Sequence, residues 1–223
     1  MKAVAAAMLL CAAASSQASL VSVGAIPATG TGFGSVDTVL TLSSENKTGV
    51  SGGSVSWDGV NDQTSGTVQP GAVHNATYSF GELNVTNASE LLFIFNAAEP
   101  AGNSIRLDSL ILSIFSSTGQ VLYTLGLAAP VNFAATDTGG GKSGYGFALD
   151  VPDYMLAQPF ISATNRIGLE ASVSSATGAS DTFYVVALEG EGPGNEIPEP
   201  GSVALLGLGL AGVWAARRAR SKA

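Results

Sequence analysis

The sequence predicts an all-β domain, an antiparallel β-sandwich of jelly-roll type, flanked by two apolar terminal segments. Three observations carry that prediction. Short runs rich in Val, Ile, Leu, Phe and Thr recur along residues 19–188, and clusters of Gly, Asn, Asp or Ser separate them. Outside the two ends, no stretch sustains an apolar period of 3.6 residues. Charged residues make up only 12% of the chain and glycine supplies 28 of its 223 residues, a composition of strands and turns.

The elements follow in order. Residues 36–42 form the first run and residues 50–57 the second, closed by the turn pair Asp58-Gly59. Residues 77–85, 91–96 and 105–115 come next. Ser117-Thr118-Gly119 turns the chain into residues 121–125, giving a hairpin. Residues 145–149 return after a glycine-rich loop. The cleanest alternation sets Ile167, Leu169, Ala171 and Val173 on one face against Arg166, Gly168, Glu170 and Ser172 on the other. Residues 182–188 close the series as an apolar strand, and only residues 152–158 suggest a helical turn. About ten strands with regular turns favour a sandwich. A parallel β-helix would need a fixed-period repeat, which the sequence lacks.

Charge is partitioned sharply. All 17 acidic residues lie between Asp37 and Glu199, whereas Lys2 stands at one end and Arg217, Arg218, Arg220 and Lys222 at the other. Only Lys47, Arg106, Lys142 and Arg166 remain to balance the middle. Nucleic acid is excluded as a partner, because phosphate binding needs clustered basic residues. An acidic surface suits cations, a hydrated matrix, or solubility alone. The single cysteine, Cys11, lies in the N-terminal apolar run. No disulfide can therefore staple the domain, and its stability must come from the core.

Lys2, the apolar residues 3–14, and Ser16-Gln17-Ala18 together have the form of a secretory signal peptide occupying residues 1–18. Signal peptidase would cut between Ala18 and Ser19. Met8-Leu9-Leu10 lack the small residue expected before a lipidated cysteine, so Cys11 belongs to the leader. The run is also too short to span ~30 Å of hydrocarbon as an anchor.

The other end opens with a Gly, Pro and acidic linker, residues 189–197, which cannot form a core. Pro198-Glu199-Pro200 follows. Two prolines around one glutamate deny the backbone a helix and leave it extended for an enzyme. Residues 203–216 are apolar and would span about 21 Å as a helix. Arg217, Arg218 and Arg220 would hold that end on the cytoplasmic side as a membrane stop. This arrangement, residues 197–223, resembles the PEP-CTERM sorting signal of Gram-negative bacteria. The resemblance implies recognition by an exosortase, with Pro198, Glu199 and Pro200 as the recognition residues. It further implies an inner-membrane-anchored precursor, a cell-surface or extracellular product, and an association with extracellular polysaccharide or biofilm.

Catalytic motifs are weak in the middle. Gly139-Gly140-Gly141-Lys142-Ser143 suggests a phosphate loop, but Thr136 stands where that pattern needs glycine. His74 is the only histidine and sits in a polar stretch without a nucleophile elbow beside it. A glycosidase needs two facing carboxylates, and no spacing pairs any two. Four Asn-x-Ser/Thr triplets, at Asn46, Asn75, Asn84 and Asn87, carry no function. Calcium is the most plausible ion, with Asp58, Asp62, Asp150 and Asp153 as oxygen donors grouped in turns, although neither group matches an EF-hand loop. Turn-forming carboxylates without a metal are the simpler reading, and no cofactor is expected. The sequence therefore reads as a non-catalytic exported protein. The alternatives are a carbohydrate-binding module using Trp57, Tyr78 or Tyr145, and less favourably a secreted hydrolase.

Overall fold

The structure is a computed structural model, and it describes residues 19–27, 36–43, 49–100, 103–134 and 143–188. The expected leader and linker, the C-terminal tail and the 139–142 part of the glycine-rich loop lie outside these residues. Among them, no helix is long and apolar enough to cross a membrane. The helix expected at residues 203–216 is outside the described part.

The all-β prediction holds. Among the described residues twelve strands run as β1 (Ser19–Pro27), β2 (Asp37–Leu42), β3 (Gly49–Trp57), β4 (Asp62–Gly66), β5 (Tyr78–Ser79), β6 (Leu91–Asn96), β7 (Ser104–Phe115), β8 (Val121–Leu127), β9 (Val131–Ala134), β10 (Ser143–Leu149), β11 (Arg166–Ala176) and β12 (Asp181–Ala187). One helix, α1 (Val151–Ala157), runs directly into a 3₁₀ turn at Gln158–Phe160. Asp150 caps α1, its Oδ1 accepting from the Asp153 N–H at 3.2 Å. Pro152 suits the first turn because its missing N–H has no partner there in any case.

The jelly-roll sandwich does not emerge as two separate sheets. The hydrogen-bond ladder is continuous in the order β2-β12-β6-β10-β1-β8-β7-β11-β3-β4, with β5 beside β11 and β9 beside β7. The reason lies in β1. It runs antiparallel to β10 along most of its length, while Ser19 and Leu20 pair in parallel with Gly126 and Leu127 of β8. Its register slips between Ser22 and Gly24, and Gly24 has φ +93°, a conformation glycine adopts without strain. One bulged strand thus joins the two halves into a single curled sheet. The far ends of the order also return to each other. Leu42 of β2 bridges Val68 just beyond β4, and the Ser43 N–H donates to the Thr67 carbonyl at 2.9 Å.

The core fills the inside of this curl. One half contributes Phe93, Phe95, Phe147 and Phe183, and the other Ile105, Leu107, Leu110, Leu112, Ile114, Ile167, Leu169 and Val173. Phe95 stacks on Phe183 with centroids 4.8 Å apart, and Phe133 meets Phe95 and Phe147 edge-on, each at 5.8 Å. Strand β6 is buried at every position, so its outer face is also apolar. There Leu92 and Ile94 gather with Tyr184, Ile26 and Val186 as a second cluster. Two-sided burial explains why 91–96 reads as an unbroken apolar run.

Two turns lock together at one end. Gly119, with φ +86°, lies against the backbone of Asp58, where an added Cβ would stand 2.4 Å from the Asp58 carbonyl carbon. The Trp57 indole N–H donates to the Ser117 carbonyl across the same junction at 3.1 Å. Gly119→Ala is expected to lower stability by about 1–3 kcal/mol through strain. Phe95→Ala should remove about 3–5 kcal/mol by opening a cavity. Urea unfolding checks both: each variant should shift the midpoint with an unchanged m-value, and Phe95→Ala should shift it further.

Candidate functional site

The calcium candidates fall into two turns. In the β3–β4 turn, Asp58 Oδ1 accepts from the Val60 and Asn61 N–H groups, both at 2.7 Å, and Oδ2 accepts from the Gln63 amide at 2.7 Å. Those backbone N–H groups hold its carboxyl below the usual aspartate value. Both oxygens are thus engaged by the turn itself. Asp62 Oδ1 accepts from the Thr77 N–H at 3.1 Å and from the Thr77 hydroxyl. The second pair stands at α1, where Asp150 caps the helix and Asp153 Oδ2 accepts from the Ser19 N–H. Among the described residues no three His, Cys, Asp or Glu side chains gather as a metal site.

The aromatic candidates do not assemble into a platform. Trp57 is covered on one side by Arg166, whose guanidinium carbon lies 4.6 Å from the ring centroid. Arg166 is itself fixed by Thr77, with Nε donating to the Thr77 hydroxyl at 2.9 Å and Nη2 to the Thr77 carbonyl at 2.6 Å. Its Nη1 pairs with Glu82 at 3.3 Å. The Ser79 N–H, and secondarily Arg166, hold the Glu82 carboxyl below its usual range. Tyr78, one residue on from Thr77, donates its hydroxyl to the Thr38 carbonyl at 3.2 Å. Burial, with the charges of Asp37, Asp62 and Glu82, raises its pKa. Tyr145 belongs elsewhere, packed 4.2 Å from Phe133 with its hydroxyl donating to the Ala134 carbonyl. Arg166 therefore serves as a clasp joining β3, β5 and β11. A cleft of about 230 Å³ opens beside Asp62, lined also by Thr64, Gln69 and Asn75. That is below the ~300 Å³ at which small-molecule pockets begin.

Sequence reasoning missed a buried acidic pair. Asp181 and Glu99 are 1% and 3% exposed. Asp181 Oδ1 accepts from the Ala98 N–H at 3.0 Å, and Glu99 accepts from the Thr177 N–H and hydroxyl at 2.9 and 2.7 Å. Burial, opposed by the Ala98 N–H and reinforced by the Glu99 charge, pushes the Asp181 carboxyl up to about 7. These residues are far apart in sequence, so no local spacing announces them. One signal was present: Asp181 shares the inward parity of Phe183 and Val185 on β12. The pair clamps the loop after β6 to the start of β12.

His74 lies in the loop before β5, where its N–H donates to the Gly71 carbonyl at 3.1 Å. No nucleophile is paired with it by any hydrogen bond above. Ser19 is the first residue of β1, whereas Ala18 lies outside the described residues. So do Pro198, Glu199, Pro200, Arg217, Arg218 and Arg220.

The tail supplies the functional assignment. Residues 196–220 match the family model of the PEP-CTERM protein-sorting motif. That motif marks an exosortase-targeted exported protein processed for the cell surface. The match covers the tail alone, and the β domain is left unassigned. Neither a curated protein nor a solved structure matches the chain.

The buried acid gives a pH prediction. A carboxyl whose folded pKa is about 7 contributes stability that is complete below about pH 4 and lost as pH rises through 7. The domain should therefore be more stable at pH 5 than at pH 8. Asp181→Asn, which keeps an acceptor for the Ala98 N–H, should recover about 2–4 kcal/mol at pH 8 and flatten that slope. Urea midpoints of both proteins at the two pH values provide the check.

Proposed function

We propose that this chain is a non-catalytic surface or extracellular-matrix protein, exported by its leader and released from a membrane-held precursor by an exosortase. The observation that carries the reading is the sorting motif at residues 196–220. Pro198, Glu199 and Pro200 are the residues the enzyme reads, and residues 203–216 with Arg217, Arg218 and Arg220 hold the precursor until the cut. Signal peptidase removes residues 1–18.

The β domain is the cargo, and its chemistry supports a place in a hydrated polysaccharide matrix. Among the described residues the basic side chains are Arg106 and Arg166, and each is paired to an acid, Asp108 at 3.0 Å and Glu82 at 3.3 Å. The remaining exposed carboxylates give a surface that stays dispersed in a polyanionic gel by mutual repulsion. The exposed polar groups above are largely committed to turns and clasps, which suits a durable scaffold.

The experiment is the intact mass of the protein recovered from its native host, with and without the exosortase. Loss of residues 1–18 and of the tail from near Pro198, the latter only when the enzyme is present, is the expected result. Retention of Arg217 through Ala223 in both strains would overturn the sorting mechanism. Replacement of Glu199 by Ala should leave the uncut precursor in the membrane fraction. The processed form should leave the matrix fraction when polysaccharide synthesis is deleted.

A further inference from the structure

The first strand begins at the expected leader cut. Ser19 pairs with Gly126 of β8, and its N–H reaches Asp153, 134 residues further along the chain. Asp153 sits in the first turn of α1 and is only 3% exposed. Asp150 stands beside it as the cap of the same helix. On β8 stands Tyr123, whose hydroxyl oxygen is shielded from solvent and has no hydrogen-bond partner. Burial, and then the charges of Asp153 and Asp150, raise that phenol's pKa.

Among the described residues, no ion pair neutralises Asp153. The ion pairs of the described residues are Arg106 with Asp108 and Arg166 with Glu82, neither of them here. Burial raises the Asp153 carboxyl and the Asp150 charge raises it further, while the Ser19 N–H opposes the shift. An amide N–H is a weak partner for a desolvated carboxylate, and a charged donor is the usual one.

Removal of the leader would create that donor at the very atom already in contact. Hydrolysis breaks the bond between the Ala18 carbonyl carbon and the Ser19 nitrogen. Water gives its hydroxyl to Ala18 and a proton to Ser19, and solvent supplies a second proton. The resulting α-amine, with an ordinary pKa of about 7.7–8.0, is mostly ammonium at pH 7. We propose that Asp153, with Asp150 and the Tyr123 hydroxyl around it, is the binding site for the Ser19 α-ammonium of the processed chain. Cutting the leader then completes a buried ion pair that fastens β1 to α1. The inference rests on cleavage between Ala18 and Ser19. A retained Ala18 moves the charge one residue outward and restores a neutral N–H at the site.

The test separates the cut from the site. Intact mass of the exported full chain first reads the N-terminal residue. A first residue other than Ser19 removes the cleavage premise and overturns the proposal for the natural protein. Chain 19–223, released from a fusion with no residue added, then tests the pocket by itself, beside a twin that keeps Ala18. The α-amine of each is acylated at several pH values, folded and in urea, with Lys47, Lys142 and Lys222 as internal references.

In the folded Ser19 chain the labelling midpoint should rise by about one pH unit and the rate at pH 7 should fall about tenfold. The twin and Asp153→Asn should both label with the midpoint of the unfolded chain. A midpoint unchanged by folding in the Ser19 chain, or a shift that survives Asp153→Asn, overturns the proposal. Should Asp153→Asn not fold, the Ser19 chain and its Ala18 twin decide the matter between them. A shift equal in the two would then be the refuting result.

Discussion

Everything else in the domain depends on the phenylalanine-filled interior of the curled sheet. The single cysteine, Cys11, lies in the N-terminal apolar run, so no disulfide within the domain shares the task. Phe95, Phe133, Phe147 and Phe183 come from four strands, and their rings touch across both hairpin and crossover boundaries. Aromatic contacts of this kind add stabilisation beyond area burial and fix orientation, because edge-on and offset geometries are preferred. The strand order is therefore held by side chains that meet only when the sheet curls. The polar clasps at Arg166 and at the Glu99–Asp181 pair bind loops to this interior, and without it they would have nothing to hold in register.

Those clasps give the acidic surface its particular character. Among the described residues the cations are tied into the structure: Arg166 is committed to Trp57, Thr77 and Glu82 at once. Several carboxylates are satisfied by backbone N–H groups, as Asp58 is by its own turn. Such groups are low-entropy acceptors fixed by local geometry. An acidic protein built this way needs few salt bridges, and exposed salt bridges contribute little in any case.

Much of the strand pattern was legible because period and burial agree. Residues 91–96 and 166–173 sit where the apolar runs placed them, and 152–158 is helical within a residue at each end. Three strands escaped notice for different physical reasons. Asp62–Gly66 is polar throughout, since it lies at the sheet margin with its side chains largely exposed. Ser19–Pro27 adjoins the N-terminal apolar run and exposes Val21 and Val23, so its apolar residues do not alternate. Val131–Ala134 is too short to show a period. Residues 77–85 erred the other way. Phe80, Leu83 and Val85 are buried, yet they line turns after Ser79, where Asn84 takes φ 55°. The expected separate sheets failed because a single bulged strand joins the halves, and a bulge has no hydrophobic signature. The tail was readable for the opposite reason: it is recognised as a linear string and needs no partner distant in sequence.

The position of β1 has a consequence for the timing of assembly. It is the earliest strand in the chain, yet it ends in the middle of the sheet, between strands that begin only at Val121 and Ser143. A chain that crosses a membrane from its N-terminus delivers β1 first and its neighbours last. The central ladder then cannot close until most of the domain has emerged, and closing such long loops is slow. The topology itself keeps the polypeptide threadable during passage. Folding is deferred to the far side, where the first strand waits for the eighth and the tenth.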